Sequence, residues 1–177
     1  ARMMHDLAIA FTKLGIKVVV LTPGGPKLHK KLEIKILDNV EIWRFKSLPT
    51  RGQSHIKRLI GETFLPLTAY WAMRSSKLNL DFDACINYSP TIFFGPLAKW
   101  FKIKGAFVYL ILRDFFPKWI IDDGLISNKS FAAIYLRFFE ALNYKASDVI
   151  AVQSPNNKKV FKLMAPNHSH KTTVLYN

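Results

Sequence analysis

Cysteine, acidic side chains and long apolar runs are what this 177-residue chain has least of. Its one cysteine, Cys85, leaves nothing to pair with in an internal disulfide and excludes a Cys-rich zinc site. Between Ala84 and Ile86 it reads as a small core residue. No stretch reaches the roughly 18–20 apolar residues that a membrane-spanning helix needs. The first residues have no signal-peptide layout. G-x-G-x-x-G, P-loop and G-x-S-x-G patterns are all missing, which removes the usual sequence signals of dinucleotide binding, phosphate-loop chemistry and serine hydrolysis. Thr22-Pro23-Gly24-Gly25-Pro26 is too rich in proline to stand in for a nucleotide fingerprint. His168 and His170 are two residues apart with no carboxylate nearby, so no metal site is expected.

What is there is basic and apolar. Lys and Arg number 26 against 12 Asp and Glu, a net charge of +14. Such an excess suits an anionic partner: nucleic acid, anionic lipid headgroups or a phosphorylated substrate. It is uneven, with +10 on residues 1–104 and +4 on the rest. No RNP, KH or helix-turn-helix signature accompanies it, so nucleic acid is not an expected partner. Half the residues are apolar and 14% aromatic, which excludes an intrinsically disordered chain. The length suits a single domain over residues 1–177.

Periodicity organises the chain. Met3, Leu7, Ala8, Phe11 and Leu14 recur at helical spacing, with Gly15 placed to end the helix. Residues 17–21 read as a strand, running into a loop over 22–26. In a parallel α/β fold such a helix follows a strand, and the reading places that first strand and its loop before Ala1. Residues 33–37 and 40–45 alternate around Asp38-Asn39 and read as a hairpin. Residues 54–78 are mostly helical, with Pro66 forcing a kink or break. From residue 83 onward strands and helices alternate: strand 83–88, helix 91–101, strand 106–112, helix 130–144, strand 148–153, helix 155–164, strand 172–175. This predicts an α/β, Rossmann-like, doubly wound and mostly parallel sheet with right-handed crossovers. Ligands of such sheets sit at the carboxyl ends of the strands. That selects residues 22–31, 88–90, 113–119 and 153–155.

The candidate residues follow from that edge. An apolar strand stops at Arg113-Asp114. Arg offers a planar fork of donors suited to phosphate or carboxylate, and Asp can orient a hydroxyl or hold the Arg; the pair also reads as a local ion pair ending the strand. Phe115, Phe116, Trp119, Ile120 and Ile121 follow, either as core or as an exposed patch. Ser89 and Ser154, each before a proline, read as helix N-caps or as groups beside a ligand. The basic loop at Lys27-Leu28-His29-Lys30-Lys31 reads as solvated or phosphate-binding. Residues 54–78 carry Lys57, Arg58 and Arg74 among Leu59, Ile60, Phe64 and Trp71. They read as an interfacial membrane helix or as an ordinary covering helix.

Met4-His5-Asp6-Leu7-Ala8 with residues 18–23, Tyr88-Ser89-Pro90 with Gly95-Pro96-Leu97, and Tyr109–Trp119, whose most specific part is Leu112-Arg113-Asp114-Phe115-Phe116-Pro117-Lys118-Trp119, occur in this order. They are followed by Phe138-Phe139-Glu140, Asn143-Tyr144-Lys145-Ala146-Ser147-Asp148 and Gln153-Ser154-Pro155-Asn156. Taken together they resemble the N-terminal half of GT-B glycosyltransferases. The likeness is to family 4, in the fucosaminyltransferase-like branch of bacterial O-antigen and capsule synthesis. The resemblance implies the acceptor-binding domain of a retaining enzyme that moves a sugar from a nucleotide-sugar to a polyprenyl-pyrophosphate-linked glycan. The donor would be bound by a second, C-terminal domain, without which no transfer is expected. It implies no cofactor and no metal. The location implied is cytoplasmic, peripheral to the inner face of the plasma membrane, with an anionic membrane surface as a partner. It points to Arg113 and Asp114 as catalytic residues, to Tyr88, Ser89, Lys118, Trp119 and Ser154 around the acceptor, and to Lys57, Arg58, Trp71 and Arg74 facing the membrane. Many relatives carry His where this chain has Arg113-Asp114. The other readings are a non-enzymatic basic module for membrane or nucleic acid, an inactive glycosyltransferase remnant, and another nucleotide-dependent α/β enzyme such as a dehydrogenase.

Overall fold

The structure, a computed structural model, describes residues 2–49, 54–89 and 91–176. Pro90, which enters the sequence reading, lies outside the described residues. The chain divides into two compact units, Ala1–Leu80 and Asp81–Asn177.

The first unit opens with helix α1, Arg2–Lys13. Gly15, at φ +80°, ends it. The Gly15 N–H donates to Thr12 O and the Ile16 N–H to Phe11 O, the two bonds of a left-handed glycine cap. Strand β1 covers Val19–Gly25, β2 Leu32–Leu37 and β3 Val40–Lys46. Asp38 and Asn39 both have positive φ, as a two-residue hairpin turn requires, and β2 pairs antiparallel with β3 from Leu37↔Val40 onward. β1 pairs parallel with β3, giving the order β1-β3-β2. The expected loop over residues 22–26 is therefore largely strand. Pro23 lacks an N–H, and β1 tolerates it because, among the described residues, it pairs on one side only. A bulge between Pro23 and Gly25 absorbs the irregularity. Helices α2, His55–Thr63, and α3, Leu65–Arg74, follow. The break falls at Phe64, which puts Pro66 in the first turn of α3, where its missing N–H removes no helical bond.

The second unit holds β4, Ala84–Tyr88; α4, Gly95–Ile103; β5, Phe107–Leu112; α5, Lys118–Asp122; α6, Phe131–Ala146; β6, Val149–Val152; α7, Pro155–Met164; and β7, Thr172–Val174. All four strands are parallel, in the order β4-β5-β6-β7, with helices between them. The architecture is α/β and Rossmann-like, with mostly parallel sheets. Its core joins Leu110, Leu112, Ile150 and Val152 of the sheet to Tyr144 of α6 and Phe161 of α7. Cys85, partly buried, packs against Ala98, Val108 and Ala146, and burial pushes its thiol up to about 11. α4 begins at Gly95 rather than at Thr91. Pro96 has no N–H to give to an upstream carbonyl, so the helix starts where that proline falls in its first turn. Ser130 does cap α6, its Oγ accepting from Ala133 N at 3.2 Å. The Phe116–Pro117 peptide is cis.

Two contacts hold the layers in register. A Cβ on Gly95 would lie 2.8 Å from Asn143 N and 2.9 Å from Leu142 C, so α4 meets the backbone of α6 where only glycine fits. Asp148, just before β6, accepts from Val108 N at 2.9 Å and from Lys102 Nζ at 2.6 Å. Partial burial pushes its carboxyl up, but the bonds from Lys102 and Val108 and the charge of Lys171 outweigh this and hold it below its ordinary value.

Gly95→Ala is expected to destabilise the fold by about 1–3 kcal/mol in urea unfolding, because backbone must move to admit the methyl. For Asp148 the folded carboxyl titrates below the unfolded one. Its contribution is therefore present above the ordinary carboxylate range and is lost as the pH falls through the folded value. Asp148→Asn is expected to lower stability by up to about 1 kcal/mol at neutral pH, with the gap to wild type closing as the pH falls below the ordinary carboxylate range.

Candidate functional site

Parallel register brings the predicted edge together in the second unit. Tyr88 lies opposite Ile111, and Leu112 opposite Val152, so β4, β5 and β6 end side by side. The Ser89 N–H continues the ladder by donating to Ile111 O at 3.0 Å. The residues after each strand, Ser89, Arg113-Asp114 and Gln153-Ser154, thus share one rim.

Arg113 is exposed, and its Nη1 donates to the Tyr88 hydroxyl at 2.9 Å. That bond, helped by the neighbouring Asp114 charge, raises its pKa, so the guanidinium is a permanent cation held by the end of the adjacent strand. Asp114 is raised above the ordinary carboxylate value, because partial desolvation outweighs the Arg113 charge and the nearby Ser89 hydroxyl, both of which favour ionisation. An arginine tied to a tyrosine rather than to its own neighbouring carboxylate keeps donors for an anion. That arrangement departs from a plain strand-ending ion pair.

The remaining candidates divide. Ser89 is buried and caps no helix; its hydroxyl and that of Thr91 have no hydrogen-bond partner among the described residues. Ser154 is a cap, its Oγ accepting from Asn157 N at 3.0 Å. Lys118 is paired with Asp122 at 2.6 Å within α5. Trp119 is exposed, its ring 6.2 Å from that of Phe116. The apolar run from Phe115 to Ile121 does not form one exposed patch. Phe115 packs on the core, Pro117 is buried, and Phe116, Ile120 and Ile121 are half-buried. Lys57, Arg58, Trp71 and Arg74 belong to the first unit and are all exposed on α2 and α3, Arg58 being paired with Glu62 at 2.7 Å. Lys27, His29, Lys30 and Lys31 are exposed as well, as a solvated loop is.

No family model matches the chain, and no curated protein matches it. Among the described residues no cluster of His, Cys, Asp and Glu is suited to a metal ion. No helix there is long and apolar enough to cross a membrane.

Sequence reasoning missed the polar layer beneath the rim. Tyr144 donates to Glu140 Oε1 at 2.8 Å, and burial raises the Glu140 carboxyl against the opposing effects of Tyr144 and Arg137. Asn87 Nδ2 donates to Asn143 Oδ1 at 2.6 Å, and Asn143 Nδ2 donates in turn to Ile92 O. A cavity of about 10 Å³, comparable to one water molecule, lies among Ser89, Thr91, Glu140, Asn143 and Tyr144. The signal was present as Glu140 and Tyr144 four residues apart, with Asn143 on the apolar face of a helix. Only the packing of α6 against β4 and α4 gives it a meaning.

Because the folded Asp114 carboxyl titrates above the unfolded one, its ionisation opposes folding, and its contribution to stability falls as pH rises between the two values. Asp114→Asn is therefore expected to leave the unfolding free energy at pH 7 unchanged or slightly raised. In a carbon-detected NMR titration Asp114 is expected to titrate above an ordinary aspartate, and higher still in Arg113→Ala, which removes the cation favouring its charged form. A titration lowered by Arg113→Ala would contradict the assigned geometry.

Proposed function

We propose that this chain is the acceptor-binding half of a retaining glycosyltransferase, which moves a sugar from a nucleotide-sugar to a polyprenyl-pyrophosphate-linked glycan in surface polysaccharide synthesis. The observation that carries the reading is the Arg113 guanidinium, hydrogen-bonded to Tyr88 and standing beside Asp114 at the carboxyl edge of a parallel sheet. This is the edge at which α/β proteins bind ligands. The ordered resemblance of the surrounding segments supports it.

In this reading Arg113 contacts a phosphate of the donor or of the acceptor's pyrophosphate, offering a charged fork in place of water. Asp114 orients the acceptor hydroxyl and steadies Arg113. The bond from the anomeric carbon to the donor phosphate breaks as the acceptor oxygen attacks from the same face. The departing phosphate takes the acceptor proton, so the protein need not supply a strong base. Stabilising the charge that develops on that phosphate is the larger catalytic contribution, and it falls to Arg113. Lys118, Trp119 and Ser154 surround the acceptor, Lys118 after parting from Asp122, with the buried Ser89 beneath them. A second α/β domain binds the nucleotide-sugar, and neither metal nor cofactor takes part. The enzyme works at the inner face of the plasma membrane, where its lipid-linked acceptor resides.

Arg113→Ala in the full-length enzyme is expected to lower turnover by about 10²-fold or more, measured with a panel of nucleotide-sugars and a short-chain polyprenyl-pyrophosphate glycan. Activity within about threefold of wild type would remove Arg113 from the reaction. No transfer by the wild-type enzyme, together with salt-dependent vesicle binding, would favour the non-enzymatic basic module.

A further inference from the structure

Beneath the rim two hydroxyls, Ser89 Oγ and Thr91 Oγ1, are buried with no hydrogen-bond partner among the described residues. Ser89 is 3% exposed, and its backbone N–H is already committed to Ile111 O. Both hydroxyls border the cavity of about 10 Å³ whose other polar walls are Glu140, Asn143 and Tyr144. Asn143 has nothing left for them, because its amide serves Asn87, Ile92 O and Phe139 O. Tyr144 gives its proton to Glu140 Oε1. Glu140 keeps its second carboxyl oxygen for another bond. Leu110, Leu112 and Phe116, among the apolar walls, offer none. The Ser89 hydroxyl also stands near Asp114, where it favours the charged carboxyl without completing a hydrogen bond to it.

We propose that one water molecule occupies this cavity, shared by Ser89, Thr91 and Glu140, and that through it Glu140 is a positioning residue for Asp114. The volume suits one water and nothing larger, and three polar groups are the number of partners that a buried water takes. Water here relieves the cost of two unpaired hydroxyls that no neighbouring side chain can meet. Direction follows from counting protons. Serine has one, and Asp114 and Glu140 compete for it. A water that donates to Ser89 Oγ and is held by Glu140 leaves the serine proton for the Asp114 carboxylate. Without that water the proton turns inward and Asp114 loses a donor. The charged and titratable groups that bear on Glu140 are Tyr144 and Arg137, both on α6, and Arg113 bears on Asp114. Tyr144 feels both carboxyls, which places the two ends of the relay within electrostatic reach of one phenol. What the relay does for sugar transfer rests on the reading above, in which Asp114 orients the acceptor hydroxyl. The water and its partners do not depend on that reading.

Two measurements on the 177-residue chain test the relay. A high-resolution crystal structure is expected to show an ordered water within about 3.2 Å of Ser89 Oγ, Thr91 Oγ1 and a Glu140 carboxyl oxygen. The Asp114 carboxyl is then followed by carbon-detected NMR. Ser89→Ala and Glu140→Leu are each expected to raise its titration above that of wild type, since each takes away the donor that favours the charged form. Glu140→Gln keeps an acceptor for Tyr144 and a donor for the water, and is expected to restore the wild-type titration. If Glu140→Leu unfolds, Thr91→Val replaces it. That variant withdraws one partner from the water and is expected to shift Asp114 in the same direction. The proposal is overturned by a cavity without water in the crystal, by a folded Glu140→Leu or Thr91→Val that leaves Asp114 where it was, or by Glu140→Gln shifting Asp114 as far as Glu140→Leu does. None of these readouts requires sugar transfer, so a failed relay and a failed transfer reaction are read separately.

Discussion

Parallel pairing of β4, β5 and β6 is the constraint on which the second unit depends. Parallel strands joined by right-handed crossovers all point the same way, so the residues that follow them emerge at one edge. Their next peptides have ladder partners on one side only. The Ser89 N–H meets this demand at Ile111 O, and the Leu175 N–H does the same at Val152 O. Tyr88 is thereby held at the level of Arg113, and a phenol and a guanidinium 25 residues apart become a hydrogen-bonded pair. Asp148 works from the opposite end of β5. It both donates through its N–H to Val108 O and accepts from the Val108 N–H through its side chain. With both ends of β5 held, the position of Arg113-Asp114 is a property of the sheet rather than of a mobile loop.

Burying polar groups beneath that edge is costly unless each finds a partner. Asn143 meets the cost on several sides, linking β4 through Asn87, the segment before α4 through Ile92 O, and its own helix through Phe139 O. Gly95 is what lets α4 come close enough for that arrangement. Glu140 and Tyr144 satisfy one another, and burial raises the pKa of both groups, so the pair stays neutral or singly ionised under the rim. The hydroxyls of Ser89 and Thr91 stand apart from this accounting, buried and unpartnered among the described residues beside a water-sized cavity. Arg113 and Asp114 are exposed on the rim, while Ser89 and the layer below are closed and polar.

The first unit solves a different problem. β1 carries a proline and two glycines, which suits only a strand with one pairing partner, and the hairpin β2–β3 supplies that partner. α3 covers this sheet with small and medium side chains, Ala69, Ala72 and Met73. Leu67 and Trp71 face outward. Leu65 joins the buried set, so both faces of α3 carry large apolar side chains and position along the helix, not size, sorts them.

The α/β class, the alternation from residue 83 onward, the Gly15 helix end, the Asp38-Asn39 hairpin and the special place of Arg113-Asp114 were legible in the amino-acid sequence. Each rests on local rules: apolar periodicity, positive φ, or an apolar run that stops at charge. Boundaries were less legible where proline was present. Pro23 looked like a loop and lies in an edge strand, and Pro96 moved the start of α4 to Gly95. The amino-acid sequence by itself determined which elements form and that the strands of the second unit run parallel. Tertiary structure alone decided that Arg113 is held by Tyr88 and not by Asp114, that Ser89 caps nothing while Ser154 caps α7, that Lys118 is engaged by Asp122, and which face of α2–α3 stays outside. The physical reason is range: helix ends and turns are set by neighbours within about five residues, whereas the partner of a side chain is whatever the packed layers bring within 3 Å of it.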